Sequence, residues 1–597
     1  MRSVSKIGSE PPEAGESQVE EPPNDFLGLE GVTLERHVPC TLRDGVVLRA
    51  DVYRPADRDL HPVVLMRTPY GKTMAQSDAG YSHPSWFARH GYIVVIQDCR
   101  GCHESEGDFY PFVNEAVDGY EAVEWASQLP GSDGRVAMYG FSYVGATQLL
   151  AATLRPRGLV AITPGFAPSR HHEGCFYRGG AYSLALAASW ALDLAAEAAR
   201  RNGDSDAYAA LRQAWGRLPC VYDYMPLREQ PDLARYAPYY LDWLDHPTYD
   251  GYWRQFSIDE DYGRYEVPAF HLGGWWDTFV AGTIANFTGL RHSAANDYAR
   301  QNQKLVIGPW AHYPWAPIGE SECNGRAIDE WQLRWLDYIL KGHETGVMDA
   351  PATVWLEGDG WIDLEEWPPP GSEIVHWYLR SDGRANSLWG DGSLSLDEPA
   401  EEAPDILVTD ARSPTPSRGG HSCCHRDLSP IGPAVQNDNE ALNAVLVYTS
   451  PLLPDDLVLL GDVSAVIYVS ADVPDIDVVV RLCRVSPDGT STNLLEGIMR
   501  SRYRDSPSDP RLLAPGEVAR LDIALGPIAA RIKAGYQLRV DVCGSDFPQW
   551  NRNLHTGGDP GTESMSAARI ATAAIHHNST YPSVVRLPAN RSLQRAD

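Results

Sequence analysis

The stretch Gly140-Phe141-Ser142-Tyr143-Val144-Gly145 lies between an apolar run at residues 134–140 and an Ala- and Leu-rich run at 145–154. A strand that passes straight into a helix through small residues must turn sharply, and the residue at the apex is pushed out of the sheet. The same alternation surrounds it. Residues 61–67 and 92–97 are short, β-branched and bounded by turn residues, the pattern of strands buried on both faces. Between them, residues 84–90 predict a crossover helix that ends at Gly91. Residues 114–129 carry Ala116, Val117, Tyr120, Val123 and Trp125 on a helical period. Strands resume at 267–272 and 304–307, and a helix follows at 327–341. Repeated strand–helix alternation predicts a largely parallel α/β sheet. Residues 32–54, with a turn at Arg43-Asp44-Gly45, predict an antiparallel opening hairpin.

The alternation is interrupted once and ends once. Residues 168–261 hold Ala-rich helical stretches (182–200 and 208–216) and acidic, aromatic segments, with no clear strand. An inserted helical cap is expected there. From about residue 350 helices disappear. Short runs at 374–379, 444–449, 464–469, 477–485, 518–523 and 536–542 are punctuated by Gly, Pro and Asp, the pattern of a β-sandwich or jelly roll. A chain of 597 residues has room for two or three such domains.

Composition excludes several function classes. The formal net charge is −30 and no Lys/Arg cluster is present, which argues against nucleic acid or an anionic membrane as partner. No segment approaches the roughly 18 apolar residues of a membrane span, and the start lacks the roughly 7–15-residue apolar run of a signal peptide. A soluble, cytoplasmic protein is expected. Residues 1–26 are rich in Glu, Pro, Ser and Gly and read as a disordered tail. Ten Cys are too few to staple so long a chain. Cys99 and Cys102 form a CxxC without a second pair, so no tetrahedral metal site follows. His421, Cys423, Cys424 and His425 crowd four possible ligands into five residues, but neighbours in sequence rarely aim at one ion. No metal and no cofactor are expected.

The turn at Ser142 acquires chemical meaning from two other strand ends. Asp277, in LGGWWDTF, follows the strand at 267–272. His312, in IGPWAH, follows the strand at 304–307. A parallel sheet places its chemistry at strand C-termini, and the order Ser, Asp, His is that of an α/β-hydrolase triad. His312 would take the Ser142 proton and return it to the leaving group, and Asp277 would hold the imidazole tautomer. The Tyr143 N–H, at the start of the next helix, is the natural oxyanion donor. The glycine frame departs from G-x-S-x-G, because its second Gly comes one residue late.

Several stretches together resemble one family, the cocaine esterase and X-prolyl dipeptidyl peptidase group of α/β-hydrolases. They are RTPYGK (67–72), QDCRGCHESEGDF (97–109), DGYEAVEWASQLPGSDGRVAMYGFSYVGATQ (118–148), APYYLDWLDHPTYDGYW (237–253), GGWWDTF (273–279) and IGPWAH (307–312). The resemblance implies an α/β-hydrolase domain (27–167 and 262–348), a helical cap (168–261) and a C-terminal β jelly roll (349–597). It assigns Ser142, Asp277 and His312 to the triad. It also gives the hydroxyl of Tyr70, in TPYGK, as a second oxyanion donor beside the Tyr143 amide. A homodimer follows only by analogy with the family. Two departures matter. Cys102 stands where the family loop RGxGxSxG has its middle Gly. Thr278-Phe279-Val280 stands where the amino-ester hydrolases carry an acidic pair that binds a substrate ammonium, and no equivalent of the X-prolyl peptidases' carboxylate-rich amine pocket is evident.

The expectation is therefore a serine hydrolase that cleaves small carboxylic esters through an acyl-enzyme. Phe166, Phe176, Tyr177, Trp276 and Trp310 are the candidate walls of an aromatic acyl pocket. An X-prolyl dipeptidyl peptidase or a β-lactam or other amide acylase would use the same triad. A carbohydrate-binding jelly roll without catalysis is the alternative of another class, and the complete Ser, Asp, His and Tyr set argues against it.

Overall fold

The computed structural model describes residues 29–73, 82–231, 233–312, 326–423 and 431–593. The stretch expected to be a disordered tail lies outside them.

Two sheets organise the chain. The first contains β1 (Val32–Thr41), β2 (Val47–Pro55), β3 (His61–Thr68), β4 (Ile93–Asp98), β5 (Ser132–Phe141) and β6 (Leu159–Gly165). Phe270–Trp276, Lys304–Ala311, Ala352–Leu356 and Gly360–Leu364 complete it. The spatial order is β1-β2-β4-β3-β5-β6, followed by the other four in sequence. β1 pairs antiparallel with β2, and β2 with β4. From β4 to Ala352–Leu356 every pairing is parallel. All of β4 and all but the first residue of β3 are buried, which is why both are continuous β-branched runs. Helices α1 (Pro84–Arg89), α2 (Glu115–Ser127) and α3 (Tyr143–Ala152) cover the sheet. Pro84 opens α1 where its missing N–H costs nothing, and Gly91, at φ 81°, follows its end.

The first sheet runs past the expected division at residue 348. Ala352 pairs with Leu305 and Val354 with Ile307, so two further strands extend the hydrolase sheet. Ala352, Val354 and Leu356 pack with Trp275 and Ile307, and this apolar face fixes the strand to its parallel neighbour. The strand Phe270–Trp276 also runs four residues beyond its expected end, through Gly273 and Gly274. Helix α3 starts at Tyr143, two residues earlier than its composition suggests.

Between β6 and Phe270–Trp276 lies the helical insertion. Its longest helix, α4 (Leu184–Arg201), buries Ala187, Ala188, Ala191 and Ala195. The short helix Pro238–Asp245 supplies Trp243, whose ring stacks on Trp190 of α4 at 5.7 Å and on Phe176 at 4.1 Å. A hairpin of Tyr177–Arg178 with Ala181–Tyr182 precedes α4, where no strand was expected. Two residues per strand are too few to carry a period.

The second sheet has eleven strands and starts at Ser372–Arg380. Its longest pairing joins Leu457–Ala471 to Ala519–Ile532, antiparallel, around a core that includes Leu459, Ile467, Leu482 and Val540. Among the described residues, one short α-helix, Asn437–Glu440, and two 3-10 turns interrupt it. Among the described residues no helix is long and apolar enough to cross a membrane.

The tightest helix–sheet contact lies at α3. A Cβ on Gly145 would stand 2.6 Å from the Gly165 carbonyl oxygen and 2.9 Å from Ala167 Cβ. The clash is with backbone, so α3 itself would have to move. Gly145→Ala should lower unfolding stability by about 1–3 kcal/mol, read from denaturant melts. An unchanged midpoint would contradict this packing.

Candidate active site

The site begins with a strained residue. Ser142 caps α3 with φ 64° and ψ −129°, a conformation that L-residues rarely adopt. Gly140 and Gly145 make it possible. A Cβ on Gly140 would meet Val144 Cγ1 at 2.2 Å, so the helix can fold back on the strand only over a bare backbone. The Gly145 contact with β6 accounts for the late second glycine, because position 145, and not 144, faces that strand. The Ser142 N–H donates to Gly165 O at 2.9 Å and ties the apex to β6.

The other two strand ends meet Ser142. His312 Nε2 lies 2.8 Å from Ser142 Oγ, and His312 Nδ1 lies 2.8 Å from Asp277 Oδ1. Asp277 and His312 are buried, while Ser142 is half-exposed. The rings of Phe141, Phe166 and Phe279 stand edge-on to His312 at 5.3–6.4 Å. They leave the imidazole little room to rotate away from the serine. This line of contacts can move a proton from Oγ to Nε2 while a carboxylate stabilises the charge that forms on the ring.

Two candidate donors belong to residues that line the same pocket. The Tyr143 N–H is at the first position of α3, where no intrahelical acceptor exists. Tyr70 lines the same pocket as Ser142 and His312. Its turn is anchored by the Tyr70 N–H donating to Thr68 Oγ1 (3.1 Å) and the Lys72 N–H donating to Asp98 Oδ1 (2.6 Å). Burial pushes the Asp98 carboxyl up to about 6, against the pull of that N–H and of Lys72.

A buried network that the sequence reading passed over stands behind the turn. Arg67 Nη1 pairs with Glu115 Oε2 at 2.6 Å, and the Tyr143 hydroxyl donates to Glu115 Oε1 at 2.8 Å. The same hydroxyl accepts from the Phe112 N–H at 3.0 Å. Burial, and then the Glu115 charge, hold the Tyr143 phenol well above its usual range, so it is a neutral donor. The Cys99 thiol faces Glu115 Oε2 at 3.7 Å, and Cys99 and Cys102 are both free and buried.

The pocket beside Ser142 is narrow, with a cavity volume of about 50 Å³. Its apolar walls come from Phe112, Leu186 and Trp190 of α4, Phe279, and Cys423 from the β domain. None of the five aromatic residues expected to line it does so. Phe166 and Trp310 lie in the core on the other side of the triad, and Phe166 buttresses His312 from behind. Phe176 is stacked on Trp243 inside the insertion. Tyr177 is stacked on His172, and its hydroxyl donates to Trp243 O. Trp276 stacks on His421 at 5.3 Å and lines a separate groove with Trp275 and Trp355. Burial accounts for these five rings, so aromatic character alone does not mark a pocket wall. Phe279, two residues after Asp277, was the one wall within reach of sequence reasoning.

In the HSCCHRD stretch, His421 Nδ1 lies 3.0 Å from Glu496 Oε1, and Cys423 is disulfide-bonded. Cys424 and His425 lie outside the described residues. In the β domain, Glu440, Cys483 and Asp541 bring donor atoms within 4.8 Å of one another. Arg539 already holds Glu440 at 2.5 Å and supplies the positive charge that an ion would bring.

Comparison with known proteins identifies the family. Residues 44–314 match the family model of the X-Pro dipeptidyl-peptidase (S15 family), and residues 345–586 match that of the X-Pro dipeptidyl-peptidase C-terminal non-catalytic domain. The chain is 32% identical over 578 residues to the cocaine esterase of a Rhodococcus species, covering 92% of this chain and 98% of that protein. Among solved structures, an aminopeptidase from a marine-sediment Thaumarchaeota archaeon superposes with TM-score 0.79 at 23% identity, covering 98% of this chain and all of the other. An α-amino acid ester hydrolase superposes with TM-score 0.76 at 21% identity, covering 94% of this chain and 97% of the other, and both likenesses concern the fold. The two family models in succession and the full-length relative establish that the chain belongs to the cocaine esterase and X-Pro dipeptidyl-peptidase (S15) family of α/β-hydrolases.

Proposed function

We propose that the chain is a serine esterase that forms an acyl-enzyme on Ser142, with His312 as base and then acid, Asp277 as orienting carboxylate, and Tyr70 and the Tyr143 amide as oxyanion donors. The observation that carries this is the unbroken line Ser142 Oγ, His312 Nε2, His312 Nδ1 and Asp277 Oδ1, with both contacts at 2.8 Å. As Oγ bonds to the ester carbonyl carbon, its proton passes to Nε2 and the carbonyl π electrons move onto oxygen. The resulting oxyanion faces Tyr70 and the Tyr143 N–H. Collapse breaks the C–O bond, and the alcohol leaves with the proton from Nε2. Water, deprotonated by His312, then attacks the acyl-serine and releases the acid.

The pocket favours an ester with an apolar acyl group. Its walls are Phe112, Leu186, Trp190 and Phe279, and no carboxylate is among the described residues that line it. An α-ammonium group would be desolvated there without a partner, which costs several kcal/mol. The relative at 32% identity is itself named a cocaine esterase, consistent with this choice over X-Pro amides.

Ser142→Ala should reduce turnover of an aryl ester by about 10⁴–10⁶-fold with the fold intact by circular dichroism. Activity within tenfold of the parent would remove Ser142 from the mechanism. Tyr70→Phe should lower kcat by about 10²–10³-fold and leave KM nearly unchanged, since the donor acts on the oxyanion and not on the ground-state ester. In side-by-side assays, kcat/KM for aryl esters of apolar acids should exceed that for X-Pro anilides. The reverse order would favour the peptidase reading.

A further inference from the structure

We propose that His103 is a positioning residue that holds the Tyr70 turn in place and braces it against the helical insertion. This deepens the esterase reading and rests on Tyr70 serving as oxyanion donor.

Four observations point to it. His103 is left-handed, at φ 44°, in the loop after β4. A non-glycine residue is held there only when its surroundings over-determine it. The loop supplies that constraint, because Ser105 Oγ donates to Asp98 O at 2.7 Å and the Ser105 N–H donates to Cys102 O at 3.0 Å. The strained backbone lays the imidazole flat against Gly71: an ideal Cβ there would stand 2.8–3.0 Å from three ring atoms. The ring also engages the Pro69 carbonyl, so one side chain touches the residues on both sides of Tyr70. Finally, Nδ1 faces Glu197 Oε1 of α4 at 3.3 Å.

Glu197 is itself fixed, since Arg200 grips both of its oxygens at 2.7 Å. Arg201 donates to Ser105 O at 2.8 Å and pins the same loop to α4 a second time. The oxyanion turn, the loop after β4 and the insertion thus meet at one imidazole. The ring fills the space that a Cβ on Gly71 would need. An aromatic ring at position 103 should therefore suffice to hold Tyr70, and a methyl group should not.

The test is a double-mutant cycle on the full chain, read with an aryl ester. His103→Ala should lower kcat about tenfold at nearly constant KM, inside the ~10²-fold that a 1 Å misplacement can cost. His103→Phe should restore most of that loss. In the Tyr70→Phe background His103→Ala should add little, because the donor it positions is already gone. If Tyr70→Phe alone leaves kcat unchanged, the oxyanion assignment fails. If Tyr70→Phe slows the enzyme while His103→Ala does not, or if the two losses multiply in full, the positioning role is overturned. Should His103→Ala fail to fold, His103→Asn takes its place in the cycle with the same criteria.

Discussion

The left-handed backbone of Ser142 is the constraint on which the rest of the site depends. Holding a non-glycine residue at φ 64° costs about 1–3 kcal/mol. The conformation persists because both flanks of the turn are packed to contact. Val144 sits on bare Gly140, Gly145 lies against the Gly165 carbonyl, and all ten residues of α3 are buried. The strain has a geometric return. It lifts Oγ off the sheet toward His312 and turns the first free N–H of α3 to the same side. The proposed nucleophile and the proposed amide donor are thereby placed by one backbone distortion.

The polar network around that turn is buried and nearly closed. Arg67, Glu115 and the Tyr143 hydroxyl link β3, α2 and α3 in a single run of charge-assisted contacts. Breaking such a run by deleting one member leaves an unpaired charge in the core, typically at a cost of about 3–5 kcal/mol. Burial disfavours the Arg67 charge, and Glu115 together with Cys99 and Asp118 outweighs it. The side chain of Tyr143 is thus fixed by the same network that shapes the helix start, so the amide bound to its Cα has little freedom to drift from the oxyanion.

Much of this was legible in the sequence, and the division between what was legible and what was not is physical. Ser142, Asp277 and His312 each follow an apolar run, and a parallel sheet brings strand ends together whatever the loops do. The opening hairpin carries local alternation, and β3 to β5 are short apolar runs bounded by turn residues. The strands Asp405–Asp410 and Ser491–Arg500 escaped notice. The first leaves Ile406 and Val408 exposed, and the second has a polar start. The extension of the hydrolase sheet past residue 348 depends on a pairing between Ala352 and Leu305, a long-range contact without a local signature. The five aromatic residues expected at the pocket failed for a different reason. Ring size predicts burial better than it predicts a ligand wall, and Phe176 and Tyr177 went into the core of the insertion.

The pocket itself is assembled from parts that have no sequence proximity. Tyr70 and Phe112 come from loops of the first sheet, Leu186 and Trp190 from α4, Phe279 from the segment after Asp277, and Cys423 from the β domain. The insertion shares its buried core with the first sheet while the β domain has its own, and all of these parts must meet before an acyl group has walls. The triad needs only the first sheet. Catalytic competence and substrate choice consequently reside in different layers of the structure. The triad is set by strand ends that any chain of this fold must bring together. On the proposed reading, selectivity follows from how the insertion and the β domain meet beside Ser142, so substitutions in α4 or near Cys423 should alter it without disturbing the Ser142–His312–Asp277 contacts.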